Sequence, residues 1–359
     1  MFEYCRELKS FSSNLSSLTN GRNMFNTCYS LTAFNVDLPS LTDGYQMFNH
    51  CHELESFTSD LPSLTDGQYM FSSCYVLSAF NVDLPSLTKG DNMFMDCRYL
   101  TSFNADLPSL LYGGSMFRGC YELTAFNVDL PSLTSASNMF YKCIELESFS
   151  SDMSSVLSCY LTFANCNKLT TFTSNMPKLD YASGMFENCS NLTSFTSDLP
   201  SLLYGDKMFY YCKLDATSVK NIIDTINTVS GRYLTLGMGC NNTTEDKDLF
   251  AQEVGYADMT SLLAALQSKG WIVTAQYNGR PTTTYSLRRP SEDTLPVFVK
   301  LEEVEEEVVE YADYTSLDDS KKYRLYYFHE TTGSTDGYTQ FNSLEEAIES
   351  LNIKPIENQ

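Results

Sequence analysis

Cysteine recurs in this sequence every 23 residues, and its chemistry and spacing need explaining first. Equivalent side chains of stacked chain turns lie about 5 Å apart and point the same way. That distance does not exclude disulfides, but parallel Cβ vectors do not suit their torsion angles. We therefore predict a ladder of small buried thiols and folding in a reducing cytoplasm. The ladder comprises Cys5, Cys28, Cys51, Cys74, Cys97, Cys120, Cys143, Cys166, Cys189 and Cys212, and the remaining cysteines, Cys159 and Cys240, are also expected to be free.

Aspartate forms a second row, nine residues after the cysteines. Neighbouring carboxylates at that spacing would repel each other by about 1 kcal/mol in water, and by more if buried. We expect each carboxylate to accept backbone N–H bonds from its own turn or the next. A row of calcium sites is the alternative, and each site would need several oxygen ligands. The row contains Asp37, Asp60, Asp83, Asp106, Asp129, Asp152 and Asp198, with Asn14 and Asn175 at the same position.

Histidine is scarce, with three residues in the chain. His50 and His52 share one turn that we expect to be exposed, and His329 lies far away in the sequence. Because the sequence places no third ligand beside them, we predict no metal site. Cys-x-x-Cys pairs, phosphate loops, nucleophile elbows and a separate acid–base pair for glycan cleavage are absent from the sequence. We therefore predict a non-enzymatic protein with no catalytic residue and no cofactor.

The repeated phrase Met-Phe-x-x-Cys-x-x-Leu-x-x-Phe fixes the elements that position these rows. Ten copies without insertion, over residues 1–212, indicate a solenoid, because one such unit cannot bury its apolar face alone. Phe-x-x-Cys-x-x-Leu suits one helical or 3₁₀ turn, and the alternation in Ala33–Val36 suits a strand of three to five residues in a parallel sheet. Thr162 replaces Met in the eighth copy, which predicts a local irregularity near residues 152–162.

The pattern changes after Cys212. Ser218 opens a predicted helix that ends by Gly231, with a strand over 234–238, and a second helix from Met259 leads to a strand at Trp271–Tyr277. We interpret 213–279 as two capping helix-strand repeats, 280–296 as a linker and 297–359 as a small α+β domain. That domain is expected to hold strands at 297–304, 308–314, 323–329 and 338–341, then a helix from Ser343.

Charge and hydropathy exclude several partner classes. The formal net charge is −22 and acidic residues prevail in both halves, so nucleic acid and anionic membrane surfaces are poor partners. No apolar run approaches the roughly 18 to 20 residues that span a bilayer. The first residues also lack the basic and apolar segments of an export signal, so we expect none.

The phrase Pro-Ser-Leu-Thr-x-Gly-x-x-Met-Phe-x-x-Cys-x-x-Leu-x-x-Phe resembles the 23-residue BspA-like leucine-rich repeat, with Met where that family often has Ala and Phe where it often has Ile. The resemblance implies a leucine-rich-repeat solenoid of α/β type, used for adhesion or scaffolding on bacterial and protist surfaces and in phage particles. Residues 337–348 resemble C-terminal modules of structural proteins from phages of Bacteroidetes. Our leading hypothesis is a virion protein, a phage tail or appendage component assembled in the host cytoplasm. The alternative is a bacterial cell-surface adhesin for a host protein or glycan, present here as a fragment.

Binding residues are expected where the repeats vary while the core does not. Tyrosines in the loops are the candidate contacts, since Tyr offers large area at low entropic cost. The outward face of the strands is small and polar, and could also accept a glycan or a protein edge. Phe2 and Leu8 lie at the open end of the solenoid, which we expect another chain or a neighbouring copy to cover. The candidate tyrosines are Tyr29, Tyr75, Tyr99, Tyr112, Tyr121 and Tyr204.

Overall fold

A computed structural model of the chain describes residues 2–277 in full and, beyond them, the backbone of four strands. The chain divides into two compact units, Met1–Asn278 and Gly279–Gln359, and each is described by itself. The first unit contains the repeats and three helices. The second contributes the four backbone strands.

Eight successive turns of the first unit each form a two-residue strand, and these strands pair in parallel two by two, which confirms the predicted solenoid. Residues 23 apart pair, as in Ala33 with Ser56 and Phe34 with Phe57. A second ladder of parallel bridges runs from Asn20 to Tyr204. The strands have two residues rather than the three to five expected from the sequence. They are β1 Ala33–Phe34, β2 Ser56–Phe57, β3 Ala79–Phe80, β4 Ser102–Phe103, β5 Ala125–Phe126, β6 Ser148–Phe149, β7 Thr171–Phe172 and β8 Ser194–Phe195.

The Phe-x-x-Cys-x-x-Leu segment forms the 3₁₀-type bonds expected of a tight turn, but it is not a continuous helix. Cys28 N donates to Phe25 O at 3.2 Å, and Leu31 N donates to Cys28 O at 3.1 Å. The residue before each of the ten ladder cysteines is left-handed, as at Thr27 with φ of 64°, and this breaks the helix. The Thr27 N–H instead reaches Asn49 O of the next turn at 2.8 Å. Bonds between turns therefore offset a strain of about 1–2 kcal/mol for each left-handed non-glycine residue.

Phenylalanine and cysteine columns fill the interior. Phe25 stacks on Phe48 with ring centroids 5.4 Å apart, and Phe34 meets Phe48 edge-on at 4.7 Å. Cys51 Sγ donates to the carbonyl of Phe25 in the preceding turn at 3.3 Å, and this contact recurs along the column. All twelve cysteines are free thiols, and all but Cys5 are buried. The thiol therefore fills space and also acts as a second donor to a carbonyl oxygen that already accepts from a backbone N–H of its own turn.

Glycine faces the methionine of the next turn in most of the stack, whereas Cys159 and Ala182 stand at the glycine position before Met185 and Met208. A Cβ added at Gly21 would lie 2.6 Å from Met47 Sδ, so the bare glycine leaves room for the methionine of the next turn. Where Thr162 replaces that methionine, the facing position is Ala136, whose carbonyl accepts from Thr162 Oγ1 at 2.8 Å. Phe140 N still donates to Thr162 O at 2.8 Å, as in the other turns. The irregularity predicted near residues 152–162 is confined to one bond, since Thr162 N lies 3.5 Å from Cys159 O where Met139 N lies 2.9 Å from Ala136 O, while the stacking between turns is preserved.

The end of the first unit continues the repeat ladder with longer elements. Helix α1 Ala216–Thr225 starts two residues before the predicted Ser218, because Asp215 caps it and accepts from Ser218 N at 2.7 Å. Strand β9 Arg232–Met238 pairs in parallel with β10 Trp271–Tyr277, and Leu234 bridges to Gly205 of the last repeat. Helix α3 Met259–Ser268 precedes β10 as predicted. Helix α2 Thr244–Val254 was not predicted, since it buries only Phe250, Ala251 and Val254 and has a weak apolar stripe.

The second unit contains an antiparallel sheet in the order β11–β12–β13–β14. Its strands are β11 Thr282–Leu287, β12 Val297–Glu303, β13 Tyr323–Phe328 and β14 Thr335–Phe341. The linker predicted over 280–296 is therefore wrong for β11, where threonine and tyrosine favour a strand. The predicted strand at 308–314 and the helix from Ser343 lie outside the described residues. Within the part of the chain that the structure describes, no helix has the length and hydropathy to cross a membrane.

Candidate functional site

Two surfaces of the repeat unit collect the side chains that vary between turns. The first, which we name the ring column, consists of the residues directly after five successive cysteines. His52 is stacked between Tyr29 and Tyr75, with ring centroids 4.6 and 4.5 Å away and interplanar angles of 13° and 18°. Arg6 lies over Tyr29 at 5.3 Å and Arg98 over Tyr75 at 4.7 Å. The stacked turns thus align two guanidinium groups, two tyrosine rings and one imidazole in a single column. This stacking fixes the orientation of the His52 ring.

His50 lies beside the column and contacts His52. His50 Nδ1 and His52 Nε2 are 3.3 Å apart, which is a hydrogen bond between two imidazoles. Burial lowers the pKa of both histidines, and the pKa of His52 is lowered further by His50 and Arg98. Asp96 acts in the opposite direction on His50. The pair is therefore neutral at neutral pH, and the two rings are coupled to each other rather than independently solvated as the sequence suggested.

Asp96 lies among basic side chains near the column. Burial raises the pKa of its carboxyl, and Arg98, Arg118 and Lys142 partly oppose that rise. The carboxylate occupies space next to Gly119, where an added Cβ would lie 2.5 Å from Asp96 Oδ1. Burial also lowers the pKa of Lys142. The surface around Asp96 is therefore basic, although the chain as a whole is acidic.

The aspartate row makes some of the backbone contacts expected for it. Asp83 Oδ1 accepts from Asp106 N at 3.2 Å, and Asp129 Oδ1 accepts from Asp152 N at 2.9 Å. Asp37, Asp60, Asp83 and Asp106 are exposed. A shallow depression of about 500 Å³ lies between the fifth and sixth turns and is lined partly by Asp106 and Asp129. Among residues 2–277 no group of three or more histidine, cysteine or acidic side chains is placed to hold a metal ion.

The second surface, which we name the tyrosine–leucine strip, consists of Leu157, Tyr160, Tyr181, Leu203 and Tyr204. Each of the five is between 36% and 45% exposed. Tyr181 lies 5.3 Å from Tyr204 and 6.1 Å from Tyr160, measured between ring centroids. Backbone bonds join neighbouring members, since Tyr181 N donates to Leu157 O at 3.2 Å.

Most earlier turns carry polar residues at the positions of Leu203 and Tyr204, although the fifth turn has Leu111 and Tyr112 there. Thr42 and Asp43 occupy in the second turn the positions that Leu203 and Tyr204 occupy in the ninth. Asp180 lies between Leu157 and Leu203 at the same repeat position, so a carboxylate divides the two leucines. Among the described residues no ion pair joins Asp180 to a base. The strip is thus an apolar patch with one central acid.

The six tyrosines predicted to make contacts fall on different surfaces. Tyr29 and Tyr75 belong to the ring column, and Tyr121, whose pKa is raised by burial, is partly buried two turns after Tyr75. Tyr204 belongs to the strip, while Tyr112 is exposed at the same repeat position four turns earlier. Tyr99 is 55% exposed on neither surface. Tyr160, Tyr181 and the two leucines were not predicted from the sequence, although leucine at a position that most turns fill with threonine could have indicated them.

Comparison with known proteins agrees with the repeat architecture. The sequence profile of the BspA type leucine rich repeat region matches six copies over residues 1–101 and 112–231, well over half of the chain. A leucine-rich repeat protein from Bacteroides ovatus, of known crystal structure, is 16% identical and aligns with a TM-score of 0.34 over 77% of this chain and 79% of its own. No curated protein matches the chain. From the profile match, this chain belongs to the BspA type leucine-rich repeat family.

Proposed function

We propose that the chain is a non-enzymatic interaction protein that binds a partner protein through the tyrosine–leucine strip. The observation that supports this is the exposure of five large side chains on adjacent turns of a rigid stack. Contiguous apolar patches rimmed by polar residues mark interaction sites. Tyrosine is also enriched among the residues that dominate binding energy. Leucine-rich repeats of this family generally serve protein contacts rather than catalysis, in line with such a role.

The negative charge of the strip and of the whole chain favours a partner with basic side chains. Asp180 offers a carboxylate between Leu157 and Leu203, and the whole chain has a net charge of −22. Arg232 already lies over the Tyr204 ring at 4.4 Å, so a tyrosine of this surface accepts a guanidinium within the chain itself. A partner that presents arginine or lysine beside apolar side chains would complement the strip and would associate faster at low ionic strength.

We propose two alternative locations for the protein, a cell surface and a phage particle. Membership of the BspA type family supports a surface adhesin. The resemblance of residues 337–348 to modules of phage structural proteins supports a tail or appendage component. A signal peptide or lipidation motif in the gene would favour the adhesin. Detection of the chain by mass spectrometry in purified virions would favour the particle.

The first turn supports a second contact of a structural kind. Leu8, Phe11 and Leu15 are only partly buried, whereas the equivalent residues of later turns are fully buried. We propose that a further protein segment covers this apolar surface, whether it belongs to the same polypeptide or to another chain. Leu8 and Phe11 accessible to solvent in the intact protein would contradict that proposal.

Selection of displayed peptides on the folded protein tests the strip. The expected peptides contain arginine or lysine next to apolar residues, and Tyr181→Ser and Tyr204→Ser should each weaken their binding by roughly 30-fold, the loss typical of a contact worth about 2 kcal/mol. Tyr99→Ser is the matched control, since it removes an exposed tyrosine outside the strip and should leave affinity unchanged. Equal losses in all three variants, or none in the strip variants, would refute the proposal.

A further inference from the structure

The histidine pair beside the ring column has the geometry of a metal chelate. A tetrahedral zinc ion holds imidazole nitrogens at 2.0–2.1 Å, which places two of them about 3.3 to 3.4 Å apart. His50 Nδ1 and His52 Nε2 are 3.3 Å apart. Two ligands at 90° on an octahedral ion would be closer, at about 3.0 Å for the same bond lengths. The observed separation therefore matches tetrahedral coordination.

The surroundings keep one of the two rings in place. Tyr29 and Tyr75 stack on both faces of His52, so its Nε2 is already oriented toward His50. His50 is exposed, so its ring is free to rotate and to turn the Nδ1 lone pair toward an ion that His52 Nε2 also contacts. Restrained ligands of this kind lower the cost of binding, as second-shell contacts do in metalloproteins.

We propose that His50 Nδ1 and His52 Nε2 bind one Zn²⁺ ion, with water in the remaining coordination positions. Imidazole nitrogens favour zinc, copper and nickel over calcium and magnesium. Two histidines would fill two of the four positions of a tetrahedral ion, so two positions would remain for water or for a side chain of a partner.

Nearby charges act on the site in opposite directions. Asp96 favours positive charge at His50, whereas Arg98 opposes it at His52. Arg118 and Lys142 surround Asp96 and weaken its effect. An Arg98→Gln substitution should therefore strengthen zinc binding, while Asp96→Asn should weaken it. A purely hydrogen-bonded histidine pair predicts no metal binding to respond to either change.

Titration calorimetry of the full chain with Zn²⁺ at pH 7.5 tests the proposal. We expect one equivalent of bound Zn²⁺, with binding weakened roughly tenfold or more by His50→Gln and by His52→Gln, and with circular dichroism to check folding. His329→Gln and Cys5→Ser are matched controls, since they remove the remaining histidine and the exposed thiol, and should leave binding unchanged. Co²⁺ should give the intense visible bands of tetrahedral coordination in the wild type only.

Two results would overturn the site. One is full-strength zinc binding in both histidine variants, which would place the ion elsewhere. The other is no binding by the folded wild type at millimolar Zn²⁺, which would leave the pair as a hydrogen bond.

Discussion

Raising the pH should unfold the repeat unit steeply, because its interior holds a column of thiols. Burial raises the pKa of Cys28 to about 11 and of Cys159 and Cys189 to about 12, and it raises the pKa of the other buried ladder thiols as well. An unfolded thiol loses its proton near pH 8.5. The stabilisation is therefore complete below about pH 8.5 and is lost as the pH rises toward the folded pKa values.

The expected effect is large because many thiols act together. Each buried thiol removes about 1.4 kcal/mol of unfolding free energy per pH unit in this window. Nine thiols would together remove about 12 kcal/mol per pH unit, which is comparable to the whole stability of a typical domain. Unfolding is thus expected within one to two pH units above pH 9. The nine are Cys51, Cys74, Cys97, Cys120, Cys143, Cys159, Cys166, Cys189 and Cys212.

Urea unfolding followed by circular dichroism from pH 7 to 10, with reductant present, measures this slope. Cys97→Ala should lower the slope by about one proton, or 1.4 kcal/mol per pH unit. Cys5→Ser is the control, since Cys5 is exposed and should not change the slope. A slope below about two protons per molecule between pH 9 and 10, or equal slopes in Cys97→Ala and wild type, would refute the account of the thiol column.

Three further predictions test how the turns pack and whether the tyrosine–leucine strip contributes to the stability of the fold. Thr162→Met should destabilise the protein by about 1–3 kcal/mol through overpacking against Ala136, and adding Ala136→Gly should restore most of the loss in urea titrations. If the losses of unfolding free energy from Thr162→Met and Ala136→Gly add, the two positions are not matched in size. Phe94→Ala should cost about 3–5 kcal/mol, because its ring stacks on two neighbouring turns, and a loss below 1 kcal/mol would contradict a filled core. Tyr181→Ser should change unfolding free energy by less than about 0.5 kcal/mol, since a binding residue on the surface need not stabilise the fold, and a loss above 2 kcal/mol would indicate a structural role.

The period of the cysteines was sufficient to predict the stacked architecture. Because Cys28 and Cys51 lie on adjacent turns, every pair of residues 23 apart also lies on adjacent turns. The parallel pairing of the strands and the interior columns of identical side chains can therefore be predicted from a single repeat. The left-handed backbone before each cysteine could not be predicted, since Thr27 and Lys142 are not residues that favour that conformation. Bonds between turns impose it, and these bonds are invisible in a single repeat.

The surfaces were only partly predictable for a related reason. Tyr29, His52 and Tyr75 follow three successive cysteines, so their proximity was readable, but the 3.3 Å contact of His50 with His52 depends on side-chain orientation. Tyr181 and Leu203 sit where other turns hold polar residues, and that contrast required an alignment of the repeats to each other. Helix α2 was missed because too few apolar residues mark its buried side.

Radical footprinting of the protein with and without a peptide obtained from the display selection tests the binding surface most directly. If the peptide binds the tyrosine–leucine strip, Tyr160, Tyr181 and Tyr204 should be oxidised more slowly in the complex, with unchanged rates at Tyr99. Protection confined to the ring column or to the strand face, with the three strip tyrosines oxidised as fast as in the free protein, would contradict it.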